Sequence, residues 1–119
     1  MTGAVYVAGP MTGYPNLNRE AFRSAEHQLR AAGRLVVNPH DVEPHWHDGR
    51  DCPPSYAVSD DGHAAACYLR SALRVMLECA EIHLLPGWEA SVGARLELSV
   101  AAAVGMRVTF APVAAGGVS

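Results

Sequence analysis

The chain reads as a small α/β domain, a Rossmann-like or flavodoxin-like parallel sheet of four to five strands with helices on both faces. Three observations predict this. The 119 residues are 50% hydrophobic and 18% charged, which suits one domain spanning 1–119. Short β-branched runs alternate with segments of helical periodicity, in the order strand, helix, strand, loop, helix, strand, helix, strand. The first three runs stop at Gly9-Pro10, Asn38-Pro39 and Pro86-Gly87, where the backbone must turn.

Ala4 to Ala8 (AVYVA) is apolar throughout, as a strand buried on both faces must be, so it is placed centrally in the sheet. From Asn18 to Ala32 the apolar residues Phe22, Ala25, Leu29 and Ala32 share one helical face, with Asn16 or Asn18 as N-cap and Gly33 as the stop. Arg34 to Asn38 supplies the second strand. His40 to Gly62 holds prolines, glycines and acids but few aliphatics, a long loop of the kind that serves a site. Ala65, Tyr68, Leu69, Ala72, Leu73 and Met76 mark a helix from about His63 to Cys79, capped by Asp60 or Asp61. Glu81 to Leu85 is the third strand, Val92 to Val104 the last helix with Gly105 as its stop, and Arg107 to Phe110 the fourth strand. Residues 112–119 read as a loose tail.

Composition removes several function classes. All nine basic residues are Arg, scattered from Arg19 to Arg107, and the net charge is −3, so charge gives no basis for nucleic-acid binding. The most apolar stretch, Ser99 to Ala115, is interrupted by Gly105 and Arg107, short of the roughly 18 apolar residues a membrane helix needs. The opening Met1-Thr-Gly-Ala lacks a basic region and a cleavage site, and Cys52, Cys67 and Cys79 form an odd set without a C-x-x-C pair. Both features predict a reduced, cytoplasmic protein.

In an open parallel sheet, ligands bind beyond the carboxyl ends of the strands. After the first strand, the turn Gly9-Pro10-Met11-Thr12-Gly13 can leave backbone N–H groups facing a ligand oxygen, although such turns are also common as plain structure. After the third strand, Ser91 and Gly93 fall at a helix start that would favour an anion, with Glu97 farther along. The residues around Glu97 allow a semi-buried carboxylate beside Ala94, Leu98 and Ala101, or a solvated one on the same side as Arg95. His40, His45 and His47, with Asp41, Asp48, Cys52 and His63, lack the matched spacing of a metal site, so no metal is predicted. Trp46 and Tyr56 could belong to a lid, and Trp88 could wall a pocket or fill the core.

The string Val5-Tyr-Val-Ala-Gly-Pro-Met-Thr-Gly13 is followed by Asn18, Phe22, Gly33 and Asn38-Pro39, and then by Leu85-Pro-Gly-Trp-Glu-Ala-Ser-Val-Gly-Ala-Arg-Leu-Glu97. Together these resemble the nucleoside 2-deoxyribosyltransferase-like superfamily over nearly the whole chain, and within it the short DUF4406-type proteins. The resemblance implies cleavage or transfer at the N-glycosidic bond of a 2′-deoxynucleoside or its 5′-monophosphate, with Glu97 as nucleophile and no cofactor. It places Gly9, Met11, Gly13 and Asn18 on the sugar side and Ser91 and Gly93 at the 5′ side; Pro10, Thr12 and Trp88 complete the candidate substrate-binding residues. It also implies a homodimer or higher homo-oligomer, and the Ala-rich last helix offers a face for pairing.

Two departures stand out. The relatives carry an aspartate where this chain has Ala72 and often a second where it has Ala80, and an acid is what a poor leaving group needs. Asp60, Asp61, His63 and Glu89 are the substitutes in range, with Asp61 taken as the candidate acid. The monophosphate-cleaving relatives also carry a serine and an arginine in the first turn, where Pro10 and Thr12 stand. The alternative reading is therefore a nucleoside- or nucleotide-binding protein without turnover. A dinucleotide-binding domain is disfavoured, because the first turn lacks G-x-G-x-x-G spacing.

Overall fold

The computed structural model describes residues 3–42 and 65–112. Within them, four parallel strands, β1 (Val5–Ala8), β2 (Val36–Val37), β3 (Glu81–Leu84) and β4 (Arg107–Phe110), lie in the order β2-β1-β3-β4. Three helices connect or follow them: α1 (Arg19–Ala31), α2 (Ala65–Met76) and α3 (Val92–Ala103). The expected sheet of four to five strands has four among the described residues. His40 to Gly62, the expected loop, is described only as far as Val42, and Asp60, Asp61 and His63 lie outside the described residues.

All four residues of β1 are buried, as the inner strand of a doubly covered sheet requires. Side chains alternate between the two faces. Tyr6, Ala8, Ile82 and Leu84 pack with Ala72 and Met76 of α2 and Ala101 of α3. Val7 and Val36 pack on the other face with Phe22 and Ala25 of α1. Helices therefore cover both faces, as expected.

The helix ends follow local chemistry. Gly33 and Gly105 adopt φ of +86° and +81°, a left-handed conformation that relieves the last carbonyls of α1 and α3. The amide of Met106 reaches back to the Ala101 carbonyl at 2.9 Å, closing α3. At the other end of α3, Ser91 is the N-cap and accepts a hydrogen bond from the Ala94 amide at 3.1 Å. Neither asparagine caps α1 through its side chain. Asn16, Leu17 and Asn18 all adopt left-handed backbone, with φ of 51°, 54° and 62°, and the Asn18 side chain is engaged elsewhere.

One buried acid belongs to the fold. On the α1 side of the sheet, Glu81 accepts hydrogen bonds from Arg34 at 3.0 Å and from the Thr109 hydroxyl at 2.7 Å. Thr109 also meets His83 Nδ1 at 2.8 Å, so the network ties β3 to β4 and to the approach of β2. Its donors hold the Glu81 carboxyl below the usual carboxylate range, against the opposing effect of burial.

Candidate functional site

The strand order reverses direction between β1 and β3, and the segments leaving their carboxyl ends diverge there. A cavity of about 690 Å³ opens at this point. Gly9, Pro10, Met11 and Thr12 line it from the β1 turn, and Ser91, Gly93 and Glu97 line it from α3. The two segments singled out in the sequence, about 80 residues apart, thus border one space.

The cavity depends on close backbone approach. A Cβ on Gly9 would lie 2.8 Å from Leu85 Cβ, inside any real contact distance, so the β1 exit can pass the β3 exit only as glycine. Gly87 combines a φ of +92° with the Tyr14 hydroxyl 2.8 Å from where a Cβ would be. Asn18 donates to the Pro10 carbonyl at 2.9 Å, so its strained backbone fixes the first turn from behind. Asn18 and Gly13 do not line the cavity.

Glu97 belongs to the buried face of α3, with Ala94 three residues before it and Ala101 four after, and is only 6% exposed. Of the two placements the sequence left open, the buried one holds. Tyr6 stands on the β1 face that meets α3, and its hydroxyl donates to Glu97 Oε2 at 2.5 Å. Oε1 makes no hydrogen bond among the described residues, on a side chain that lines the cavity. Burial lifts the Glu97 carboxyl to about 7, with the Tyr6 hydrogen bond pulling the other way. Burial and the neighbouring Glu97 charge raise the Tyr6 phenol well above its usual value, so it remains a donor. A carboxyl poised between its two forms at neutral pH is equipped for nucleophilic or proton-transfer chemistry.

His40 also lines the cavity, packed edge-on against Phe22 with ring centroids 4.7 Å apart. Burial, with Arg19 and Arg23 nearby, lowers it to about 4, so the imidazole is neutral at pH 7. Its Nε2 is closed off from solvent and has no hydrogen-bond partner among the described residues. Among the described residues, no three His, Cys, Asp or Glu side chains converge as metal ligands would. His45, His47, Asp48, Cys52, Trp46 and Tyr56 lie outside those residues.

A family model matches residues 3–110, from the approach to β1 to the last residue of β4. The chain belongs to the DUF4406 family. That family is described as a domain of unknown function. No curated protein and no solved structure matches the chain.

Three residues weighed from the sequence are not among those lining the cavity of this DUF4406 protein. Trp88 does not wall the cavity: it packs on the core and tilts against Phe110 at 5.9 Å, beside a separate depression. Gly87, turning the chain with positive φ just before it, sends the residue to that side. Glu89 borders the same depression and is not among the residues lining the cavity. Ala80 precedes β3 at the amino end of the sheet, about 13 Å of strand from the carboxyl ends, so an acid missing there is no loss to the cavity. Ala72 does line it.

Sequence reasoning missed Tyr6, Arg19 and His40 as cavity residues. For Tyr6 a signal was present, since a phenol inside a central strand must find a partner for its hydroxyl. Arg19 opens the helix after β1, so parallel topology alone brings it to the carboxyl side.

Proposed function

We propose that this DUF4406 protein cleaves or transfers the N-glycosidic bond of a 2′-deoxynucleoside or its 5′-monophosphate. The observation that carries the reading is Glu97, buried at the edge of the cavity with one oxygen held by Tyr6 and the other without a hydrogen-bond partner among the described residues. The resemblance of both lining segments to the nucleoside 2-deoxyribosyltransferase-like superfamily supports it.

In this reading, Glu97 Oε1 attacks the anomeric carbon as the bond to the base nitrogen breaks, and the electron pair leaves with the base, which takes up a proton. The developing cationic sugar is stabilised by a carboxylate in a water-poor site. A glycosyl ester of Glu97 results, and water or an acceptor base then displaces the carboxylate. Tyr6 keeps the carboxylate oriented and opposes its protonation. The relatives' proton donor has no counterpart at Ala72, and Asp61 is the proposed substitute.

Ala72 in the cavity wall favours a second reading, ligand binding without turnover. Incubation with a panel of deoxynucleosides and deoxynucleoside monophosphates, with and without a free acceptor base, separates the two. Released base, absent with Glu97→Gln, supports the first reading. Measurable binding without released base across the panel selects the second.

We also propose self-association as a homodimer or larger homo-oligomer. Val92, Leu96 and Val104 of α3 and its end are 57%, 43% and 57% exposed, an apolar surface suited to a second copy. No described helix is long and apolar enough to cross a membrane. The buried thiols of Cys67 and Cys79 accord with the proposed cytoplasmic location.

A further inference from the structure

We infer that the ligand carries an anionic group, a phosphomonoester, which is held by Arg19; the inference rests on the reading of the cavity as a nucleoside site. Arg19 is the first residue of α1 and lines the cavity. The other two arginines of α1 are consumed by carboxylates. Arg23 pairs with Asp41 at 2.6 Å and with Glu26 at 2.9 Å, and Arg30 pairs with the second oxygen of Glu26 at 2.9 Å. Arg19 has no carboxylate within ion-pair reach among the described residues. Its neighbour Glu20 leaves the helix about 100° further round, where adjacent side chains do not face each other.

Arg19 is also the one permanent cation among the described residues that line the cavity. His40, the other basic group there, is neutral at pH 7, in part because the Arg19 charge reaches it. Both residues line the same cavity. Val92 and Gly93 bring the opening of α3 to the same cavity, and the helix dipole there adds potential of the same sign. Glu97, acidic and buried, excludes an anion from its own end. The ligand is therefore matched end for end: an electron-poor sugar carbon at Glu97 and a dianion at Arg19. Planar guanidinium suits phosphate because two N–H groups can meet two oxygens. The cavity volume of about 690 Å³ is ample for such a ligand. In this chain, Arg19 thus supplies from α1 a cation that the first turn, with Pro10 and Thr12, does not.

The test is calorimetric titration of the full chain with a deoxynucleoside monophosphate, the matching deoxynucleoside, and inorganic phosphate, at low and at moderate salt. The wild type binds the monophosphate about tenfold more tightly than the nucleoside, and the preference shrinks as salt rises. Arg19→Gln removes the preference while leaving nucleoside affinity unchanged, Arg19→Lys restores part of it, and Arg74→Gln, an exposed arginine outside the cavity, leaves it intact. Thermal melts of each variant confirm folding. Equal affinity for nucleoside and monophosphate in the wild type, or a preference that survives Arg19→Gln, overturns the inference and leaves the glycosidic reading standing. An Arg19-dependent preference without released base upholds the inference and removes the glycosidic reading. Binding of neither compound overturns both.

Discussion

Glu97→Gln tests the site through stability, without any assumption about substrate. The Glu97 carboxyl titrates near 7 in the folded chain against an ordinary value of 4.5. Its folded value is raised, so the protonated form is the one the fold favours. Stability from this group is full below the unfolded value and is lost as pH climbs toward the folded one. The loss comes to about 3 kcal/mol by the time the carboxyl is ionised in both states. Glutamine is neutral at every pH and can still accept from the Tyr6 hydroxyl. The variant and the wild type should therefore melt together near pH 4 and diverge across pH 5 to 7. Above pH 7 the variant gains about 3 kcal/mol, or roughly 10 °C in a domain of this size. Paired thermal melts followed by circular dichroism measure this directly. A difference that does not change with pH would mean that the carboxyl is solvated, and the account of a buried, poised acid would fall. The same variant should lose base release altogether, the expected trade between stability and activity at a functional residue.

Tyr6→Phe removes the hydroxyl that opposes protonation of Glu97, so the acid limb of the pH–rate profile should move to higher pH, with about tenfold lower rate at pH 7. An unmoved limb would separate Tyr6 from the titration. Gly9→Ala places a Cβ 2.8 Å from Leu85 Cβ, which is rooted on backbone and cannot swing aside; urea denaturation should show a loss of about 2 kcal/mol or more. Ser91→Ala leaves the Ala94 amide uncapped and should cost about 1 kcal/mol in the same assay, without altering the pH at which Glu97 titrates.

The elements were legible because their signals are local. Periodicity located α1 and α3 to within a residue or two, and Gly33 and Gly105 ended them through a backbone conformation that glycine accepts readily. The second strand shrank from five expected residues to Val36–Val37, as an edge strand with a single neighbour does when its flanks turn into the adjoining loops. What was not legible depends on which way a side chain leaves the backbone. Trp88 could lie on either side of its turn, and only the φ of +92° at Gly87 decides. Glu97 had the same composition around it under either placement, until the pairing of β1 with β3 brought Tyr6 beneath α3.

The two alanines are the instructive case, because resemblance treated them alike and topology does not. Parallel strands all begin at one end of the sheet and finish at the other, and the cavity lies where they finish. Position 80 introduces β3, so an acid there could never have reached a ligand across the cavity without crossing the length of the sheet. Position 72 falls on α2 and lines the same cavity as Tyr6 and Glu97, where a carboxylate near Glu97 would raise its titration further by like-charge repulsion. In the proposed reaction, alanine here means one proton donor fewer and, at the same time, easier ionisation of Glu97. A site with one poised carboxylate should show a single rising limb near pH 7 in any activity it has, whereas a second acid from outside the described residues would add a falling limb.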